Sequence, residues 1–138
     1  MKALSMHQPW AQMILDGVKT IETRKWSTNY RGEILICASK QFDFAIPLST
    51  QRILHDEKNH YNISFLFPIG VTLCIADLVD CRKMTHEDET EACIEVYPKA
   101  HSLILQNVRR VRQLELPKEI KWRLGLFPVP DEFVKQLL

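Results

Sequence analysis

A chain of 138 residues suits a single domain, residues 1–138, and is long enough to bury a core without staples. Its formal net charge of +1 excludes a global basic field for nucleic acid, and the absence of any apolar run of about 18 residues excludes a membrane-spanning helix. The first seven residues lack the apolar stretch of a secretory leader, so the expected location is cytoplasmic.

The cysteines Cys37, Cys74, Cys81 and Cys93 show no C-x-x-C spacing, and the histidines show no H-x-x-x-H pairing. The expectation is buried reduced thiols, with no zinc or other metal site and no cofactor. Charge is unevenly placed. Glu87, Asp88, Glu89 and Glu91 form an acidic block, and Arg109, Arg110 and Arg112 a basic one. Such runs are ordinarily solvated faces, but the basic run would also suit phosphates or a protein partner.

In chain order, residues 2–6 predict a short first strand. Pro9 opens a helix over residues 9–16, with Trp10, Met13, Ile14 and Val18 at helical spacing and Gly17 as its left-handed stop. Residues 20–26 predict a strand with Ile21 and Thr23 on one face and Glu22 and Arg24 on the other. After a turn at residues 29–32, residues 33–39 are apolar enough for a strand buried on both faces. The short connection predicts that these two strands pair antiparallel.

Pro47 starts a possible helix that carries Leu48, Ile53 and Leu54 toward the core, and residues 59–68 read as loop. Residues 70–81 give the strongest strand pattern. Its alternation places Asp77 with Val71, Leu73, Ile75 and Val79, so that carboxylate needs a partner. Thr85 followed by acids predicts a short surface helix. Residues 103–116 predict a long strand interrupted at Gln106 and Asn107. Residues 125–128 form a turn, and Pro130 opens a last helix with Phe133, Val134 and Leu137 on one face. This order is not the alternation of a doubly wound fold. It predicts an α+β protein, a small, mostly antiparallel β-barrel with peripheral helices.

Several stretches carry a family likeness: Leu4-Ser5-Met6-His7-Gln8-Pro9-Trp10, then Gly17, Lys19, Glu22 and Arg24 in the spacing G-x-K-x-x-E-x-R, then Trp26, Tyr30-Arg31-Gly32 and Ala38-Ser39-Lys40. Together with Leu78-Val79-Asp80-Cys81 and Gly125-Leu126-Phe127, they resemble the ASCH domain. The resemblance covers most of the chain but is poor over residues 41–69 and 84–115. It implies a PUA-like barrel with a cleft lined by the motif, and a role in RNA binding or coactivation. In some small bacterial relatives it implies hydrolysis of acylated cytidine.

On this reading Lys19, Glu22 and Asp77 are the candidate catalytic residues, with Lys19 at the cleft mouth and Asp77 reaching in from another strand. Arg24, Trp26, Tyr30, Arg31, Ser39 and Lys40 are the candidate ligand-binding residues. The same charges would equally make a buried salt-bridge network that sets strand register. Trp10, Trp26, Tyr30 and Trp122 could stack on bases, Trp10 being the most core-like. In the resembling amidohydrolases a lysine, a threonine and a glutamate act together. Here Lys19 matches the lysine but Glu22 holds the threonine position, which removes the hydroxyl nucleophile. Lys19 and Glu22 could still activate water. The expected function is therefore binding of RNA or a modified nucleoside, with hydrolysis of an acylated nucleoside such as N4-acetylcytidine as the alternative.

Overall fold

The computed structural model describes residues 1–56 and 67–138. Its strands are β1 (Lys2–Gln8), β2 (Ile21–Arg24), β3 (Gly32–Phe42), β4 (Val71–Lys83), β5 (His101–Arg110) and β6 (Phe127–Pro128). The helices are α1 (Trp10–Leu15), α2 (Leu48–Leu54), α3 (Glu89–Ala92) and α4 (Asp131–Leu137), and a 3-10 turn at His86–Asp88 leads into α3. The expected loop at residues 59–68 falls largely outside the described residues. No helix among the described residues is long and apolar enough to cross a membrane.

The strands form one mixed sheet in the order β2-β5-β4-β3-β1-β6. Only β1 and β3 run parallel. The sheet does not close, which corrects the expected barrel. The physical reason is strand length at its two edges. β6 pairs only with Lys2 and Ala3, so the outer edge of β1 beyond them has no strand beside it among the described residues. At the other edge, β2 has only four residues.

The expected antiparallel pairing of β2 with β3 is also corrected. β2 pairs with β5, Glu22 opposite Leu103, while β3 lies between β4 and β1. β3 is buried on both faces and needs a strand on each side. The turn between β2 and β3 instead carries the chain from an edge strand to one inside the sheet, past β5 and β4, which lie between them. Within it Arg31 donates to the Thr28 and Tyr30 carbonyls, and Gly32 takes φ +123, a conformation open to glycine.

Side-chain alternation along β3 sorts the core into two layers. Ile34, Ile36 and Ala38 pack with Leu4, Met6, Leu103 and Leu105 beneath α1, which contributes Ala11 and Ile14. Leu35 and Cys37 face the other way, toward Phe127 and toward Phe133 and Leu137 of α4. Each such fully buried aliphatic side chain is worth about 1.5–3 kcal/mol of removed apolar surface. In α2 Thr50 and Leu54 are fully buried. Leu48 is exposed, against expectation, because it stands in the first turn directly after Pro47.

The interruption expected at Gln106 and Asn107 is real but does not end β5. Asn107 takes φ +53, which asparagine tolerates, and the ladder to β4 shifts register nearby. The four cysteines form no disulfide. Burial holds the Cys37 and Cys74 thiols above their usual range, Cys74 at about 12.

Candidate functional site

The open seam between β1 and β2 is bridged by a side chain. Arg24 donates from Nη2 to the Ser5 carbonyl of β1 at 2.8 Å and from Nη1 to the Leu124 carbonyl at 2.8 Å. Its Nε donates to Glu22 Oε2 at 3.0 Å. One guanidinium therefore joins β2, β1 and the segment before β6, where a closed barrel would have a ladder. Its rigid fork of donors suits this three-way geometry.

Glu22 points to the α1 side of the sheet because its ladder partner Leu103 does. It is 7% exposed. Besides Arg24, its Oε1 accepts the Thr23 N–H at 3.1 Å and lies 3.6 Å from Lys19 Nζ.

Lys19 is only 1% exposed, so it forms the wall behind Glu22 rather than the mouth of the cleft. Two features put it there. Gly17 (φ +76) reverses the chain after α1, and the Met13 carbonyl accepts both the Val18 and Lys19 N–H groups. The Lys19 ammonium donates to the Ala92 carbonyl at the end of α3 and sits 5.2 Å over the Trp10 ring. Burial lowers its pKa from the ordinary lysine value, and Glu22 pulls it partly back.

In front of this wall lie two adjoining lobes of a cleft. The smaller, about 290 Å³, is lined by Ser5, His7, Trp10, Glu22, Arg24, Arg123 and Leu124. The larger, about 480 Å³, shares Ser5, His7, Arg123 and Leu124 and adds Ser39, Lys40, Gln41 and Trp122. Volumes of this order hold small-molecule ligands. Lys40 and Arg123 make no ion pair or hydrogen bond among the described residues. Ser39 Oγ accepts the Gln41 N–H at 3.2 Å. Trp10 donates from Nε1 to Asp43 Oδ2 at 3.2 Å, which fixes its ring at the floor of the small lobe.

The family model described as the ASCH domain matches residues 4–125. The chain belongs to the ASCH domain family. Activating signal cointegrator 1 of Mus musculus is 35% identical over 82 residues, 56% of this chain and 14% of that protein. The Homo sapiens protein of the same name is 34% identical over 82 residues, with the same coverage of 56% and 14%. The chain thus spans a small fraction of the curated relatives' length. The crystal structure of ASCH from Zymomonas mobilis aligns at TM-score 0.65 and 14% identity, covering 98% of this chain and 91% of that one. A mutant of that Zymomonas mobilis protein aligns at TM-score 0.60 and 15% identity, over 98% and 94%. At such identity the likeness concerns the fold.

In this ASCH domain the expected site residues separate. Glu22, Arg24, Ser39 and Lys40 line the cleft, and Lys19 backs it. Asp77 does not join them. It alternates with Ala76 and Leu78, which face the α1 layer, so its carboxylate emerges on the opposite side of the sheet. There it accepts from Asn107 at 3.2 Å and from Arg109 at 3.0 Å. Those hydrogen bonds hold it below the ordinary carboxylate range. The partner that Asp77 needed is thus Arg109, which also pairs with Glu33.

Trp26 packs on the core beside Arg24, its ring 5.9 Å from the guanidinium, and lines neither lobe. Tyr30 donates its hydroxyl to the Glu33 carbonyl at 2.7 Å. Arg31 is held by its own turn and by Asp80 at 3.5 Å. The basic run is also largely engaged, since Arg112 donates to the Gln136 carbonyl near the end of α4. Of the expected partner surface, only Arg110 remains without a partner among the described residues.

Sequence reasoning missed Ser5, His7, Gln41, Arg123 and Leu124 as cleft residues. Of its stacking candidates Trp122 and Trp10 line the lobes, and Trp10, the most core-like of them, also packs on the core. Only the alternation along β1, which carries Ser5 and His7 on one side, hinted at two of them. The described residues contain no group of three side chains suited to a metal ion.

Proposed function

We propose that this ASCH domain binds a nucleotide of single-stranded RNA in the seam cleft. The carrying observation is the mixed lining: cations without partners among the described residues, Lys40 at the large lobe and Arg123 bordering both, and the Glu22 carboxylate with the Trp10 ring at the small one. Phosphate suits the first end through charge-assisted hydrogen bonds. A base suits the second, where a carboxylate accepts from an exocyclic amine and an indole supports stacking.

Binding of labelled single-stranded RNA to the purified protein tests this. Lys40→Glu and Arg123→Glu are expected to weaken binding and to lower the salt slope by about one each, with folding unchanged. Affinity and salt slope equal to wild type in both variants would sink the cleft as the binding site.

A second reading, hydrolysis of an acylated nucleoside such as N4-acetylcytidine, is favoured by one observation. Lys19, with its lowered pKa, stands 3.6 Å from Glu22 on the cleft wall. Glu22, which lines the cleft, can exchange protons with an attacking water, while Lys19 behind it supports the carboxylate's charge. No threonine supplies the nucleophile there: Thr23 Oγ1 is engaged by the Tyr97 hydroxyl at 3.0 Å on the far face of β2. Turnover of N4-acetylcytidine that disappears in Glu22→Gln would support this reading, and no turnover across a panel of acylated nucleosides would remove it.

A further inference from the structure

We propose that Phe42, Phe44 and Phe67 form a second subsite, an aromatic ledge that stacks the bases of single-stranded RNA leaving the Lys40 end of the cleft. The proposal rests on the nucleotide reading of the cleft and extends it from one nucleotide to a short tract.

Three phenyl rings lie in series. The Phe42 and Phe44 centroids are 4.9 Å apart with planes at 34°, and those of Phe42 and Phe67 are 6.0 Å apart with planes at 15°. Both spacings fall in the favourable range for aromatic pairs. The series ends in open solvent, because Phe44 is 86% exposed. It does not bury Phe44 against the body of the protein, so packing leaves that ring's presence there without an explanation.

Position supplies one. β3 carries Ser39, Lys40 and Gln41 in the wall of the large lobe and ends at Phe42. At roughly 3.3 Å per strand residue the ledge begins within one residue of the cleft wall. At this junction the aliphatic stem of Lys40 lies along Gly70, close enough that a Cβ on that glycine would stand 3.2 Å from Lys40 Cγ. The ammonium has no partner among the described residues, and Arg123 stands in the same lobe. Asp43, between Phe42 and Phe44 in the chain, is engaged through both oxygens, by Trp10 Nε1 at 3.2 Å and by the Ala45 N–H at 3.1 Å. Cations flank the path and rings line its end. That pairing fits a phosphate backbone with bases turned onto π-faces, and it requires no particular base, since every base has such a face.

The test uses the full chain with adenosine 5′-monophosphate and oligoadenylates of increasing length. Wild-type affinity is expected to rise as nucleotides are added. Phe44→Ala is expected to lower hexa-adenylate affinity between about 5- and 150-fold, the loss from removing one stacked ring, while monophosphate affinity stays within about twofold. Phe44→Trp is expected to keep the longer ligand and to show its fluorescence quenched on binding. Because Phe44 is exposed, neither variant threatens the fold. Equal hexa-adenylate affinity in wild type and Phe44→Ala, with the monophosphate still bound, overturns the ledge alone. Failure of wild type to bind the monophosphate or any oligomer overturns the cleft reading together with the ledge. Self-association in sedimentation that vanishes in Phe44→Ala, with no change in RNA affinity, assigns the ledge to a second copy of the chain and overturns the proposal.

Discussion

Two buried carboxylates of this ASCH domain are held by arginine, and they do different things. Asp88, 3% exposed, accepts both Nη groups of Arg82 at 2.6 and 2.7 Å, the Thr85 N–H at 3.1 Å and the Ser102 hydroxyl at 2.9 Å. Those four hydrogen bonds equal the number of a carboxylate's lone pairs, three of them on Oδ2 and one on Oδ1. Glu22 is nearly as buried, yet it borders a cavity of about 290 Å³, and its lysine stands 3.6 Å away. The difference teaches that burial and charge pairing do not by themselves mark a site. A saturated carboxylate holds a turn in place, whereas one with spare acceptor capacity beside open space can take a ligand.

The sharpest way to break that contrast is at Asp88. Asp88→Ala removes the acid from the capping box and strands the Ser102 hydroxyl. The expected loss in urea unfolding is about 2–3 kcal/mol, below the 3–5 kcal/mol of a fully buried pair because Arg82 remains half-exposed. Arg82 is the main reason that the Asp88 carboxyl is held down at about 2. A depressed folded value means stability that is present above the unfolded value near 4 and is lost as pH falls toward 2. Wild type should therefore lose this increment over that window, while Asp88→Asn should show a flatter profile there.

Lys19→Met comes next. It leaves the Ala92 carbonyl without its donor and Glu22 with Arg24 as its one cation, for an expected loss of about 1–3 kcal/mol. Nucleotide affinity of the folded fraction should change little, because Lys19 backs the cleft without lining it. A large affinity loss at unchanged stability would show that Lys19 reaches the ligand. Arg24→Lys keeps the charge but cannot reach three acceptors at once, so the seam should loosen by about 1–2 kcal/mol, with weaker nucleotide binding measured alongside. Arg123→Glu is expected to move stability by less than about 0.5 kcal/mol, since its side chain has no partner among the described residues, while it weakens RNA binding. These variants should order oppositely on the stability and binding axes, and a common order would collapse the distinction between wall and lining.

The local chemistry was largely legible in the chain. Gly17 stopped α1, alternation put Glu22 and Arg24 on one face of β2, and Asp77 did require a partner. Periodicity and turn residues report on neighbours a few positions away, so they found these features. They did not report which strands pair across the sheet. The pairing of β2 with β5 instead of β3, and the placing of Asp77 on the far face, depend on contacts remote in sequence. Arg123 and Leu124 were invisible for the same reason: nothing in residues 118–126 reveals that they fold over the seam.

The amino-acid sequence by itself determined the family motif, most element boundaries and the identity of the charged cluster, because each depends on local spacing and side-chain type. Only the tertiary structure decided that the sheet stays open, that Arg24 bridges the seam to Ser5 and Leu124, and that Lys19 lies behind the cleft. Those outcomes depend on the edge strands being too short to close the sheet. The opening left by the missing ladder is the space that the cleft occupies.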